Sequence, residues 1–237
     1  MRIFRCFFGF LLILSHQIII AQQGADAFSC GDLMTDPRDG QTYPTIKIGQ
    51  QCWMAKNLNV GEMVPDFRQA NNGVIEKTCY GNDPANCEVY GGLYTWQQAM
   101  DWNIGEGVQG ICPPDWHLPS RADWDQLRRF LGYVDAGQQM KVDETNDPAW
   151  DGNNSSGFAA LPAGVGHDSH FGRQGHWAIF WTSTEVDEDY AWFAQLDRLW
   201  YPAPEKYRVL YLGDHFLKQN GFTVRCLKSS LTAEDAK

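Results

Sequence analysis

The sequence predicts an α+β domain of short strands, two helices and long irregular loops. Three observations carry that expectation. Tyr43 to Ile48 and Phe222 to Lys228 alternate apolar and polar residues with period two, as strands with one covered face do. The segment from Ser120 combines an N-cap, an apolar stripe and a glycine stop, which together specify a helix. The rest is dense in turn formers, with 23 glycines and 11 prolines in 237 residues, so loops are plentiful.

Taken in order, the chain opens with Arg2 and Arg5 ahead of an apolar run, Phe7 to Leu14, which Ile18-Ile19-Ile20-Ala21 ends. That order predicts a secretory signal over residues 1–21, cleaved after Ala21. Ser15-His16-Gln17 interrupts the run, which makes it a poor membrane span. A lipoprotein acylated at Cys30 is the alternative. No later run approaches spanning length, so no membrane span is expected in the mature chain. No repeat, low-complexity block or linker divides residues 22–228, which predicts one domain, and 229–237 is a short charged tail.

Asp36-Pro37-Arg38-Asp39-Gly40 is a turn, and it lacks the distal acidic ligands of a calcium loop. Tyr43–Ile48 and Cys52–Ala55 then form a hairpin about Gly49-Gln50-Gln51. Residues 61–77 and 143–157 read as polar loops. Leu93, Tyr94, Trp96, Ala99, Met100 and Trp102 recur at helical spacing, so a helix is expected over 93–102 with its aromatics in the core. Ser120 caps the second helix, Asp123 stands three residues on, Trp124, Leu127 and Leu131 form its stripe, and Gly132 stops it. His117, between Trp116 and Leu118, reads as structural. His167, His170 and His176 lie in a glycine-rich run without a carboxylate at defined spacing, so no metal site is expected there.

Cys6 departs with the signal and leaves Cys30, Cys52, Cys79, Cys87, Cys112 and Cys226. An even number in an exported chain predicts three disulfides, for which fifteen pairings exist. No C-x2-C pair suggests zinc. Cys79 and Cys87 bracket a short Gly/Asn/Pro loop that suits a local bridge. Cys30 enters just before the hairpin and Cys52 lies on its second strand, so a bridge there would pin the entering chain to the sheet. The formal charge of −10 becomes −12 without Arg2 and Arg5, which disfavours nucleic acid as a partner and suits solubility.

Several stretches together resemble the Fibrobacter succinogenes major paralogous domain, a family abundant in secreted proteins of Bacteroidetes and Fibrobacter bacteria. They include Asp39-Gly40-Gln41-Thr42-Tyr43, Gln51-Cys52-Trp53-Met54-Ala55-Lys56-Asn57-Leu58, Tyr90-Gly91-Gly92-Leu93-Tyr94-Thr95-Trp96 and Cys112-Pro113-Pro114-Asp115-Trp116-His117-Leu118-Pro119-Ser120. Leu161-Pro162-Ala163-Gly164, Phe180-Trp181-Thr182-Ser183-Thr184-Glu185 and Gly221-Phe222-Thr223-Val224-Arg225-Cys226 complete the set. That family is similar to the C-type-lectin-like fold. The resemblance implies a small twisted antiparallel sheet, two helices, long loops and a bridge from Cys112 to Cys226. The calcium and sugar triplets of C-type lectins are missing, so the resemblance carries no calcium site. Formylglycine-generating enzymes share a related fold and use reactive cysteines, whereas the six cysteines here read as paired.

The functional expectation is a non-catalytic binding module, secreted or on the outer surface or in the periplasm of a Gram-negative bacterium. It takes no cofactor and recognises a glycan or an extracellular protein through aromatic loop residues. Trp200, Tyr201 and Tyr207, flanked by Arg198, Pro202, Pro204 and Lys206, are the expected ligand contacts. Tyr190, Trp192 and Tyr211 are expected in the core. The alternatives are an enzyme of the sulfatase-modifying or glycan-hydrolysing type, with Asp187, Glu188 and Asp189 as adjacent acids, and a structural component of a surface appendage.

Overall fold

The computed structural model describes residues 28–198 and 209–230. Strands β1 (Leu33–Thr35), β2 (Thr42–Ile48) and β3 (Gln51–Met54) form an antiparallel meander. The β2–β3 turn is tight because Gly49 takes φ 61°, and a Cβ there would meet the Phe130 ring at 2.8 Å. Two short strands, β4 (Glu62–Met63) and β5 (Glu76–Lys77), pair in parallel at the ends of the first long loop.

Helix α1 (Pro84–Tyr90) follows. It begins within the stretch read as a loop between Cys79 and Cys87 and runs past it, with Asp83 capping it through Ala85 N and Pro84 in its first turn. Helix α2 is only Trp96–Ala99, not 93–102. Leu93 and Tyr94 are extended instead: Leu93 exchanges backbone hydrogen bonds with Thr78, and Tyr94 with Phe222. Asp101 and Trp102 then take left-handed φ of 50° and 59°, which ends the helix and turns Trp102 outward. Burial on both sides of an extended segment produced a spacing that resembles a helical stripe.

Strand β6 (Trp116–His117) leads to α3 (Arg121–Phe130), where Ser120 and Asp123 form a reciprocal capping box. Helix α4 (Ala136–Met140) follows. The glycine- and histidine-rich run holds a hairpin rather than plain loop, β7 (Val165–His167) with β8 (His170–Gly172). Strands β9 (Trp177–Glu185), β10 (Tyr190–Asp197) and β11 (Tyr211–Leu217) make a second antiparallel sheet in the order β11-β10-β9. The chain returns through β12 (Leu227–Lys228), which completes the first sheet as β1-β2-β3-β12-β6. The architecture is mixed helix and sheet, with a curled antiparallel sheet and few helices.

Two hydrophobic clusters fill the interior, and the period-two alternation of the strands sorts residues between them. Cys52 and Met54 face the first cluster while Trp53 faces the second. Trp181 and Phe193 face the first, Phe180 and Ala194 the second. The terminal segment obeys the same rule: Phe222, Val224 and Cys226 belong to the first cluster, and Leu227 to the second. The segment is therefore buried on both faces, not on one as its alternation suggested, and only Leu227–Lys228 is a regular strand.

Arg225 points into the second cluster and is 1% exposed. Its guanidinium donates to Asn57 Oδ1 at 2.9 Å, Met54 O at 3.1 Å, Phe158 O at 2.5 Å and Ala159 O at 3.3 Å, and lies 4.4 Å from the Phe158 ring centre. Burial without a facing carboxylate pushes its pKa down to about 9, which leaves it a cation at neutral pH.

Disulfides join Cys30 to Cys52, Cys79 to Cys87, and Cys112 to Cys226. Because the Cys30 sulfur is bonded to Cys52, it is not free to carry a lipid. Three disulfides suit a protein that folds outside the reducing cytoplasm. Among the described residues no helix is long and apolar enough to cross a membrane.

Candidate functional site

The turn from β9 to β10 is held from beneath by Lys218, whose side chain is only 5% exposed. Its ammonium donates to Glu185 Oε1, to Asp187 O at 2.6 Å and to Glu188 O at 3.0 Å, and stands 4.5 Å from the Trp96 ring centre. Backbone bonds fix the lysine in turn: Lys218 N donates to Asp189 O and Trp96 N to Lys218 O. Asp187 closes the turn through its own side chain, accepting from the amides of Asp189 and Tyr190 at 2.9 Å each. The buried ammonium directs its donors to one ion pair and two carbonyls, so the turn is rigid, and the network holds Glu188 and Asp189 by their backbones and not by their carboxylates.

Glu188 and Asp189 line a cleft of about 240 Å3 with Gln97, Leu217, Lys218 and Gln219. Two carboxylates and two amides supply donors and acceptors around one small space. The aromatic flank begins beside it. Tyr190 pairs across the sheet with Leu217, and its ring lies 6.2 Å from that of His215, which is bonded to the Asp214 carboxylate. A bulge displaces Trp192 from the ladder between Ala191 and Phe193. The half-buried indole carries the Arg121 guanidinium at 4.3 Å, and Arg121 N donates to Thr184 Oγ1.

Residues 46–228 match the Fibrobacter succinogenes major domain. The chain belongs to that family. No curated protein and no solved structure matches it.

Within this Fibrobacter succinogenes major domain, the expected ligand residues Trp200, Tyr201 and Tyr207 lie outside the described residues. In sequence they connect Asp197 of β10 to Tyr211 of β11, whereas the cleft lies at the Tyr190–Leu217 end of the same pair. Tyr190, Trp192 and Tyr211 are not core residues: the first two are half-buried and Tyr211 is 52% exposed. Their outward face follows from the pleat, since Ala191, Phe193 and Ala194 take the buried positions of β10 and the bulge at Trp192 breaks simple alternation. The adjacent acids Asp187-Glu188-Asp189 form a turn, and two of them, Glu188 and Asp189, line the cleft.

His117 is structural in its contacts, with Nδ1 3.1 Å from Ser229 Oγ and Nε2 3.6 Å from Asp123 Oδ2. Burial alone would raise the Asp123 pKa, but hydrogen bonds from His117 and Ser120 outweigh it and hold the carboxyl below its ordinary range. His167 pairs with its neighbour Asp168 at 3.2 Å. Among the described residues no group of three or more His, Cys, Asp or Glu side chains converges as a metal site would. Gln97, Lys218 and Gln219 were missing from the sequence reading. Lys218 leaves a trace in the sequence, as a lysine directly after the apolar Phe216-Leu217, while the two glutamines have no signal there.

Proposed function

We propose that this domain is a non-catalytic binding module, secreted or displayed at the cell surface, which recognises a glycan at the cleft beside the β9–β10 turn. The observation that carries this is the rigid acidic turn: Lys218 fixes it, and its carboxylates stand with two amides next to Tyr190 and His215. Hydroxyl-rich ligands need preorganised acceptors and donors with an aromatic surface alongside. The fold fits a C-type-lectin-like arrangement in its curled antiparallel sheet and in the bridge from the α3 approach to the last strand. With all six described cysteines in disulfides, nothing favours thiol chemistry.

The test is a glycan array probed with the mature domain, with and without chelator, followed by titration of the best ligand. Glu188→Gln, Asp189→Asn and Tyr190→Ala should each weaken binding by about 10- to 100-fold, the range of well-placed contacts. Retained binding in all three variants would overturn the assignment of the cleft. Trp200→Ala and Tyr201→Ala, tested alongside, decide whether the aromatic contacts expected from sequence also serve. Loss of binding with chelator alone would mean that a metal carries recognition instead.

A further inference from the structure

Against the second cluster, a lysine and an aspartate are brought together in a way the binding site does not use. The Lys141 side chain is 0% exposed, and its Nζ lies 2.9 Å from Asp151 Oδ1 and 2.8 Å from the carbonyl oxygen of Asp197. The Trp150 ring centre is 5.2 Å from the same nitrogen. The backbone clamps the pair: Gly152 N donates to Val142 O, Asn154 N to Lys141 O and Trp150 N to Asp143 O. Gly152 is packed so closely that a Cβ would meet Lys141 O at 2.0 Å. The two backbones are thus held at a fixed separation.

Three chemical conditions for amide formation meet here. The amine is desolvated, and burial lowers the Lys141 pKa, which favours the neutral nucleophile. A second carboxyl, Asp197, senses the charges of both Lys141 and Asp151, and burial raises its pKa, which favours the protonated acid. Fixed proximity replaces a bimolecular encounter, which in well-oriented pairs is worth an effective molarity of about 10⁵ M or more.

We propose that Lys141 and Asp151 join as an intramolecular isopeptide bond. One proton passes from the Lys141 ammonium to the Asp151 carboxylate within the ion pair, the nitrogen adds to Cγ of Asp151, and the protonated oxygen leaves as the C–N bond replaces a C–O bond. Asp197 hands its proton to the departing oxygen and recovers one from nitrogen. An amine and a carboxylic acid become an amide and one water, with no oxidant, reductant or cofactor consumed. The bond would close the 143–150 loop and give the second cluster, which contains no cysteine, a cross-link that reductants leave intact.

The experiment is intact-mass measurement of the full mature protein after reduction, followed by tryptic mapping. The expected mass is one water below that of the sequence, with trypsin failing to cut after Lys141 and a branched peptide joining residues 141 and 151. Lys141→Arg should restore the missing water, and Asp197→Asn should lower the cross-linked fraction at least several-fold in protein that retains its disulfides. Full mass with normal cleavage after Lys141 would overturn the proposal. So would a missing water with normal cleavage, since that marks a succinimide at Asp151-Gly152.

Discussion

The two hydrophobic clusters are secured by different chemistry. The first contains Cys52, Cys112 and Cys226 and is tied by disulfides to Cys30 and across the chain. The second has no cysteine and is organised around a buried cation, Arg225, that binds backbone carbonyls and lies against the Phe158 and Phe180 rings. The boundary between the two regimes falls between adjacent residues: Cys226 faces one cluster and Arg225 the other. A covalent tie acts largely by restricting the unfolded chain, whereas a buried cation acts only when every donor is met in the fold. The first kind is sensitive to reductant, the second to packing and to the loss of any single carbonyl partner.

The largest effect expected from breaking this contrast comes from Cys226→Ser. The lost bridge spans 114 residues, for which chain entropy gives about 5 kcal/mol. Denaturant unfolding should show it, and in dithiothreitol, where all three bridges are open, parent and variant should converge. Arg225→Ala comes next, at about 3 kcal/mol, because the buried carbonyls of Met54 and Phe158 lose a donor and the rings lose a neighbour. Its loss should persist unchanged in reductant. A variant whose deficit vanished there would merge the two regimes into one.

Ser120→Ala should cost about 1 kcal/mol by removing the capping box of α3, again measured by denaturant unfolding. The smallest effect concerns pH. The folded Asp123 pKa lies below its unfolded value, so its contribution is full above about pH 4 and is lost as pH falls through the folded value. Asp123 is partly exposed, which limits this to under about 1 kcal/mol, and Asp123→Asn should flatten the acid limb of stability against pH.

What the sequence made legible was what local chemistry specifies. Ser120 and Asp123 announced α3, Gly49 announced the first hairpin, and the spacing of Cys79 and Cys87 suited the bridge found between them. Family resemblance supplied Cys112 with Cys226. Helix α1 carried its own signal in Asp83-Pro84, which the flanking cysteines obscured. The extended Leu93-Tyr94 was not legible, because burial on two sides erases the alternation that marks a strand. The cleft was legible in only one of its parts, the acidic run, since Gln97 and Gln219 meet Glu188 and Asp189 through tertiary placement alone.

The position of residues 221–227 has a consequence for how the protein is made. Phe222 bonds to Tyr94, Thr223 to Ile179, Arg225 to Phe158, and Cys226 to Cys112, so the last segment touches partners from early, middle and late parts of the chain. A polypeptide that emerges N-terminus first, from a ribosome or through a membrane pore, has neither interior complete until this segment arrives. Synthesis and folding are thereby separated in time, and Cys112 must wait as a thiol through more than a hundred residues of elongation before its mate appears.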